Sequence, residues 1–88
     1  MKLAKVVGTV VLSQCIESLR GQTLHLIQDI DEELQLTGEV EVSATWAAMY
    51  EDDTVLVEVA REACNAFDPP LPTDNSIIGK VEKVNLAG

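Results

Sequence analysis

The chain reads as all-β, a small five-stranded OB-like β-barrel with one short helix, and three observations point there. The apolar fraction of 47% is mostly Val, Leu, Ile and Ala, and β-branched residues pack well on a pleated surface. Five short segments of strand-like composition are separated by Gly, Pro or acidic clusters. Aromatics are scarce, with only Trp46, Tyr50 and Phe67, and glycines interrupt the apolar runs. That combination suits a curved sheet closed on itself, which leaves no exposed strand edges. With 88 residues, 1–88 forms a single domain. A domain of this size has a thin core, so association with further copies adds burial that one copy lacks.

The elements follow in order. Residues 2–12, KLAKVVGTVVL, read as a long first strand, with Gly8 marking a bend, a bulge or a close backbone approach. A loop containing Gly21 leads to a second strand over 24–30. There Leu24, Leu26 and Ile30 share one face, and His25, Ile27 and Asp29 share the other. Asp31-Glu32-Glu33 is too charged for a strand interior and makes an exposed turn. After Thr37-Gly38, residues Glu39, Glu41 and Ser43 alternate with Val40, Val42 and Ala44. This period of two predicts a third strand whose polar side faces water. Residues 46–53 form an irregular connection, and 54–59, TVLVEV, a compact fourth strand. Residues 60–67 suit about two helical turns, which Pro69, Pro70 and Pro72 prevent from continuing. The last strand is expected over 76–86.

The formal charge is −9, and its distribution is uneven. No Lys or Arg occurs between Arg20 and Arg61, a stretch with ten carboxylates, whereas Lys2, Lys5, Lys80 and Lys83 lie near the two ends. A nucleic-acid binder needs a basic footprint and stacking aromatics, so nucleic acid is not an expected partner. No apolar run approaches the ~20 residues of a membrane span. Cys15 and Cys64 are isolated, there is no CxxC pair and no signal peptide opens the chain. A reducing, cytoplasmic location is expected.

The residues carry little chemistry. One His and two scattered Cys do not make a zinc site, and Asp29, Asp31, Glu32 and Glu33 lack calcium-loop spacing. No glycine-rich phosphate loop exists. No metal or cofactor is expected. A catalytic pairing of His25 with Cys15 or Cys64 is compatible with the spacing, but nothing in the sequence supports it. A structural or interaction module, not an enzyme, is the expectation.

Several motifs, in order along almost the whole chain, then carry a resemblance. They are the opening MKLAKVVGTVV, the stretch Ser18-Leu19-Arg20-Gly21-Gln22-Thr23-Leu24, and Thr37-Gly38-Glu39. Asp53-Thr54-Val55-Leu56-Val57 and the close from Pro72 through Asp74, Ile77 and Gly79 to Val81 complete the set. Together they resemble the EutN/CcmL family of vertex proteins from ethanolamine-type microcompartments and carboxysomes. Two windows depart from its pattern. Residues 45–52 stand where the family usually has Asp-x-x-Gly-Ala-Gly-x-Gly, and Ala60-Arg61-Glu62-Ala63-Cys64 stands where it often has Gly-Ser-Ser-Ala-Arg. The bulky Trp46, Met49 and Tyr50 in the first window fill core or interface volume, and an interface between subunits is the favoured expectation.

The resemblance implies a structural shell protein of a bacterial microcompartment, located in a cytoplasmic shell. It implies a homo-pentamer that caps the shell's vertices and meets hexameric shell proteins. A ring of this kind needs one side of each subunit to fit the other side of its neighbour. Lys2, Lys5, Lys80 and Lys83, on the first and last strands, are the expected basic strips at those seams. The alternative is a free-standing OB-like module that binds a small ligand or peptide.

Overall fold

A computed structural model describes residues 1–87. The strands β1 (Lys2–Val10), β2 (Leu24–Ile30), β3 (Leu36–Thr45), β4 (Thr54–Val59) and β5 (Asn75–Lys80) form a closed barrel in the order β1-β2-β3-β5-β4. A 3-10 turn at Glu17–Leu19 and one short helix, α1 (Ala60–Cys64), complete the chain. The predicted architecture is therefore the observed one. Every strand pair is antiparallel except β3 with β5. That parallel contact is confined to Ala44 opposite Ser76 and Thr45 opposite Ile77.

Gly8 behaves as its position suggests. The β1–β2 register shifts between Val6 and Gly8, and a Cβ added at Gly8 would meet Leu26 Cδ1 at 3.1 Å. The glycine thus lets β1 lie close against β2 at a bulge, which bends the sheet toward closure.

Three elements end earlier than the sequence suggests, and β3 starts earlier, at Leu36 instead of after Gly38. β1 ends at Val10, and Val11 and Leu12 leave the sheet as exposed loop. The helix stops after five residues, at Cys64. β5 ends at Lys80 instead of reaching residue 86. The reason for the last is topological: Lys80 faces Val55 at the start of β4, and Val81 N–H donates to Thr54 O (2.8 Å). Beyond that point β4 offers nothing to pair with.

The core lies inside the barrel and joins Ala4, Val6, Ile27, Val55, Val57 and Ile77 with Met49. A second apolar cluster sits on the outer side of the wall. There Leu71, with Phe67, covers Leu24, Ala44 and Val10. The 65–72 loop thereby shields the upper end of the β1–β2–β3 outer face.

The third strand corrects the sequence reading most. Its polar side turns inward from Glu41 onward, while Glu39 stays exposed. Ser43 is fully buried and its hydroxyl donates to Ala44 O (3.0 Å). Glu41 is drawn to Lys2 and Asn75. Val40 and Val42 point outward, 50% and 49% exposed. Inward polar groups cost little when each has a partner, and these do.

Candidate functional site

Two surfaces stand out, a bare apolar wall and a rigid aromatic loop. On the wall, cross-strand register places Lys5, Gln28 and Val40 in one row and Gly8, Leu26 and Val42 in the next. Ile30 opposite Leu36 continues it, and Leu36 is exposed. The row above, Val10–Leu24–Ala44, is covered by Leu71 and Phe67, so the apolar surface is bare only below that cover. Along 36–43, among the described residues, β3 also has no ladder partner on the side away from β2.

Behind this wall, polar groups lock the inner side. Lys2 Nζ lies 3.0 Å from Asp29 Oδ1 and 3.0 Å from Glu41 Oε1. That lysine is the counterion of Asp29 Oδ1, which is buried and has no hydrogen bond of good geometry. Asn75 Nδ2 donates to Glu41 Oε2 (3.0 Å). The Lys2 ammonium, with the Asn75 amide, holds the Glu41 carboxyl below its ordinary range. Burial pulls the Lys2 pKa down, but the bonds to Asp29 and Glu41 outweigh it and leave the pKa raised.

The loop between β3 and β4 is held at every turn. Met49 N–H donates to His25 Nε2 (2.9 Å), while His25 Nδ1 lies 3.2 Å from Gly8 O and 3.3 Å from Thr9 Oγ1. Because Nε2 accepts, the proton sits on Nδ1 and is donated to the Gly8 carbonyl. Tyr50 N–H donates to Asp53 Oδ2 (2.8 Å), Asp52 N–H to Val6 O (2.8 Å), and Val6 N–H to Asp53 O (2.9 Å). The Tyr50 amide, with Lys80 3.4 Å away, holds the Asp53 carboxyl below its ordinary range. Thr45 Oγ1 bonds with Ala47 at the loop's start. Asp52 has φ +75°, and Ala60, at the head of α1, has φ +58°. Both stand where the resembled pattern has Gly, so the glycine-like backbone survives without the glycine.

The expected interface residues divide. Trp46 and Tyr50 are exposed, at 64% and 78%. Met49 is a correction: at 8% exposure it belongs to the subunit's own core cluster. The four lysines do not form common strips. β4 separates β1 from β5, Lys2 points inward, and Lys80 pairs with Asp53. Among the described residues Lys5 and Lys83 have no ion pair. The sequence reading missed Leu36, Val40 and Val42 as surface residues; their alternation was visible, but not which side faced in.

Both ring nitrogens of His25 are engaged, and Cys64 Sγ donates to Thr73 O (3.1 Å). Cys15 is exposed beside a cleft of about 610 Å³ lined by 9–15 and 19–23. Among the described residues no hydrogen bond joins either thiol to His25, and no three His, Cys, Asp or Glu side chains converge to hold a metal.

The fold and surface define a class: a small closed β-barrel with an apolar core and a half-exposed apolar outer wall. The comparisons give the family. The model described as "Ethanolamine utilisation protein EutN/carboxysome" matches residues 1–82, and the chain belongs to the EutN/CcmL family. The carboxysome shell vertex protein CcmL of Synechococcus elongatus is 33% identical over 98% of this chain and 88% of that protein. The GrpN pentameric microcompartment shell protein of Rhodospirillum rubrum is 27% identical, covers both chains completely and superposes with a TM-score of 0.87. The ethanolamine utilization protein EutN of Escherichia coli is 27% identical over 100% of this chain and 92% of that one, with a TM-score of 0.90.

Proposed function

We propose that this chain is a non-catalytic shell subunit of a bacterial microcompartment, which forms a homo-pentamer, caps the shell's vertices and meets hexameric shell proteins. Its place is in the shell, within the cytoplasm. A sheet of six-fold tiles closes into a polyhedron only where five-fold units replace six-fold ones, so function resides in shape and edge fit. The observation that carries the reading is the bare Leu36–Val42 wall, on a chain similar over its whole length to a pentameric shell protein. A free subunit gains nothing by holding Val40 and Val42 in water, whereas a ring buries them. Five copies bring five times −9 in formal charge, so apolar contact and salt screening must offset the repulsion.

The test is shell closure. Hexameric shell proteins are produced with and without this chain and imaged by electron microscopy. Closed, angular shells only when the chain is present support the vertex role. Equal closure without it contradicts that role.

A further inference from the structure

Three features remain unused by the fold: two exposed aromatics on a rigid loop, a bare apolar wall, and a lysine on that wall without an ion pair among the described residues. Each is the complement of another. We propose that the 46–52 loop of one copy docks on the outer β1–β2–β3 wall of the next. Trp46 and Tyr50 pack on Leu26, Val40 and Val42, and the Glu51 carboxylate meets Lys5. This rests on the pentamer reading and names the seam within it.

Trp46 and Tyr50 are two of the chain's three aromatics, and exposed Trp and Tyr are the residues that most often anchor interfaces. The loop that carries them is already ordered by the Met49–His25 bond and by its ties to Val6 and Asp53. Docking therefore loses little conformational freedom. The charges fit as well. Glu51 is exposed on the loop, and a surface with net charge −9 repels an acidic loop almost everywhere. Lys5 is the exception on the wall, in the same row as Val40. Finally, the loop runs from the end of β3 to the start of β4 across the barrel mouth, while the wall is the outer side of β1, β2 and β3. These are different surfaces of one subunit, so the contact is head-to-tail, as a cyclic ring requires.

The experiment measures mass by light scattering over a dilution series for wild type and four variants. The variants are Trp46→Ser with Tyr50→Ser, Val42→Glu, Lys5→Glu, and Lys5→Glu with Glu51→Lys. All sites are on the subunit surface, and circular dichroism checks that each variant folds. The first three should dissociate at protein concentrations at least about tenfold higher than wild type, and the charge swap should recover most of the Lys5→Glu loss. A wild-type pentamer whose Trp46/Tyr50 variant is equally tight overturns the seam but leaves the vertex role standing. Such a variant that no longer closes shells assigns the loop to a tile contact and likewise overturns the seam. Failure of the charge swap to restore Lys5→Glu overturns the proposed arrangement. A monomeric wild type contradicts the pentamer reading itself.

Discussion

On the inner side of β3, Glu41 takes Lys2 and Asn75 and the Ser43 hydroxyl donates to a backbone carbonyl. On its outer side, Val40 and Val42 stand half in water. A free protein usually has the opposite arrangement. The difference teaches that the two sides were shaped for different partners. The inner side is satisfied within one chain, by hydrogen bonds and an ion cluster. The outer side is left uncovered within one chain, and a neighbour that covered the rest of each Val would contribute about 1 kcal/mol per residue.

The contrast breaks most visibly in the core. Ile77→Ala, in the fully buried cluster, should cost about 2–5 kcal/mol and lower the urea midpoint of the subunit itself. Val42→Glu on the outer side should leave the dissociated subunit's urea midpoint within about 0.5 kcal/mol of the parent while breaking assembly. If the two substitutions unfold the subunit equally, the two sides of the wall are not functionally distinct.

A smaller effect is expected at the loop anchor. His25→Phe keeps a ring of similar size but removes the acceptor for Met49 N–H, a loss of about 1–3 kcal/mol. Hydrogen exchange should then show faster opening of the Met49 amide, with β4 amides less affected.

The inner polar lock should be visible in pH dependence. The folded Glu41 pKa lies below its ordinary value of 4.5. Its contribution is therefore fully present above about pH 4.5 and is lost as pH falls through the folded value. Asp53 behaves in the same sense below 3.8. Lys2 has the opposite sign: its raised pKa gives stability that is present below 10.5 and lost as pH rises through the folded value. Urea midpoints of wild type and Glu41→Gln should converge between pH 5 and pH 3. A constant gap across that range would mean the Lys2–Glu41 contact contributes nothing. The smallest effect is a gain: Ala60→Gly should relieve the φ of +58° and stabilise by about 0.5–1 kcal/mol in thermal melts.

Much of the barrel was legible because its signals are local. The bounds of β2 and β4 follow from strand composition between turn residues, and the Gly8 bulge follows from a glycine inside a Val-rich run. What escaped was set at a distance. β5 ends at Lys80 because β4 starts at Thr54, which no residue near Lys80 encodes. On β3, Glu41 turns toward Lys2 and Asn75, partners that lie more than 30 residues away in sequence. An alternating segment states its period but not which side is inside. Bulk in place of the family's small residues marks Met49 in the sequence, but an irregular loop has no period to show that its side chain enters the core. Trp46 and Tyr50 stand out as bulky residues in a window where the family pattern is glycine-rich, and the fold leaves them exposed.

The most direct measurement is the native mass of the purified chain by native mass spectrometry at physiological ionic strength. A vertex subunit gives a dominant species of five times 9.5 kDa that persists on dilution. A stable species of 9.5 kDa under the same conditions would contradict the account, because the outer wall would then be bare in the working protein.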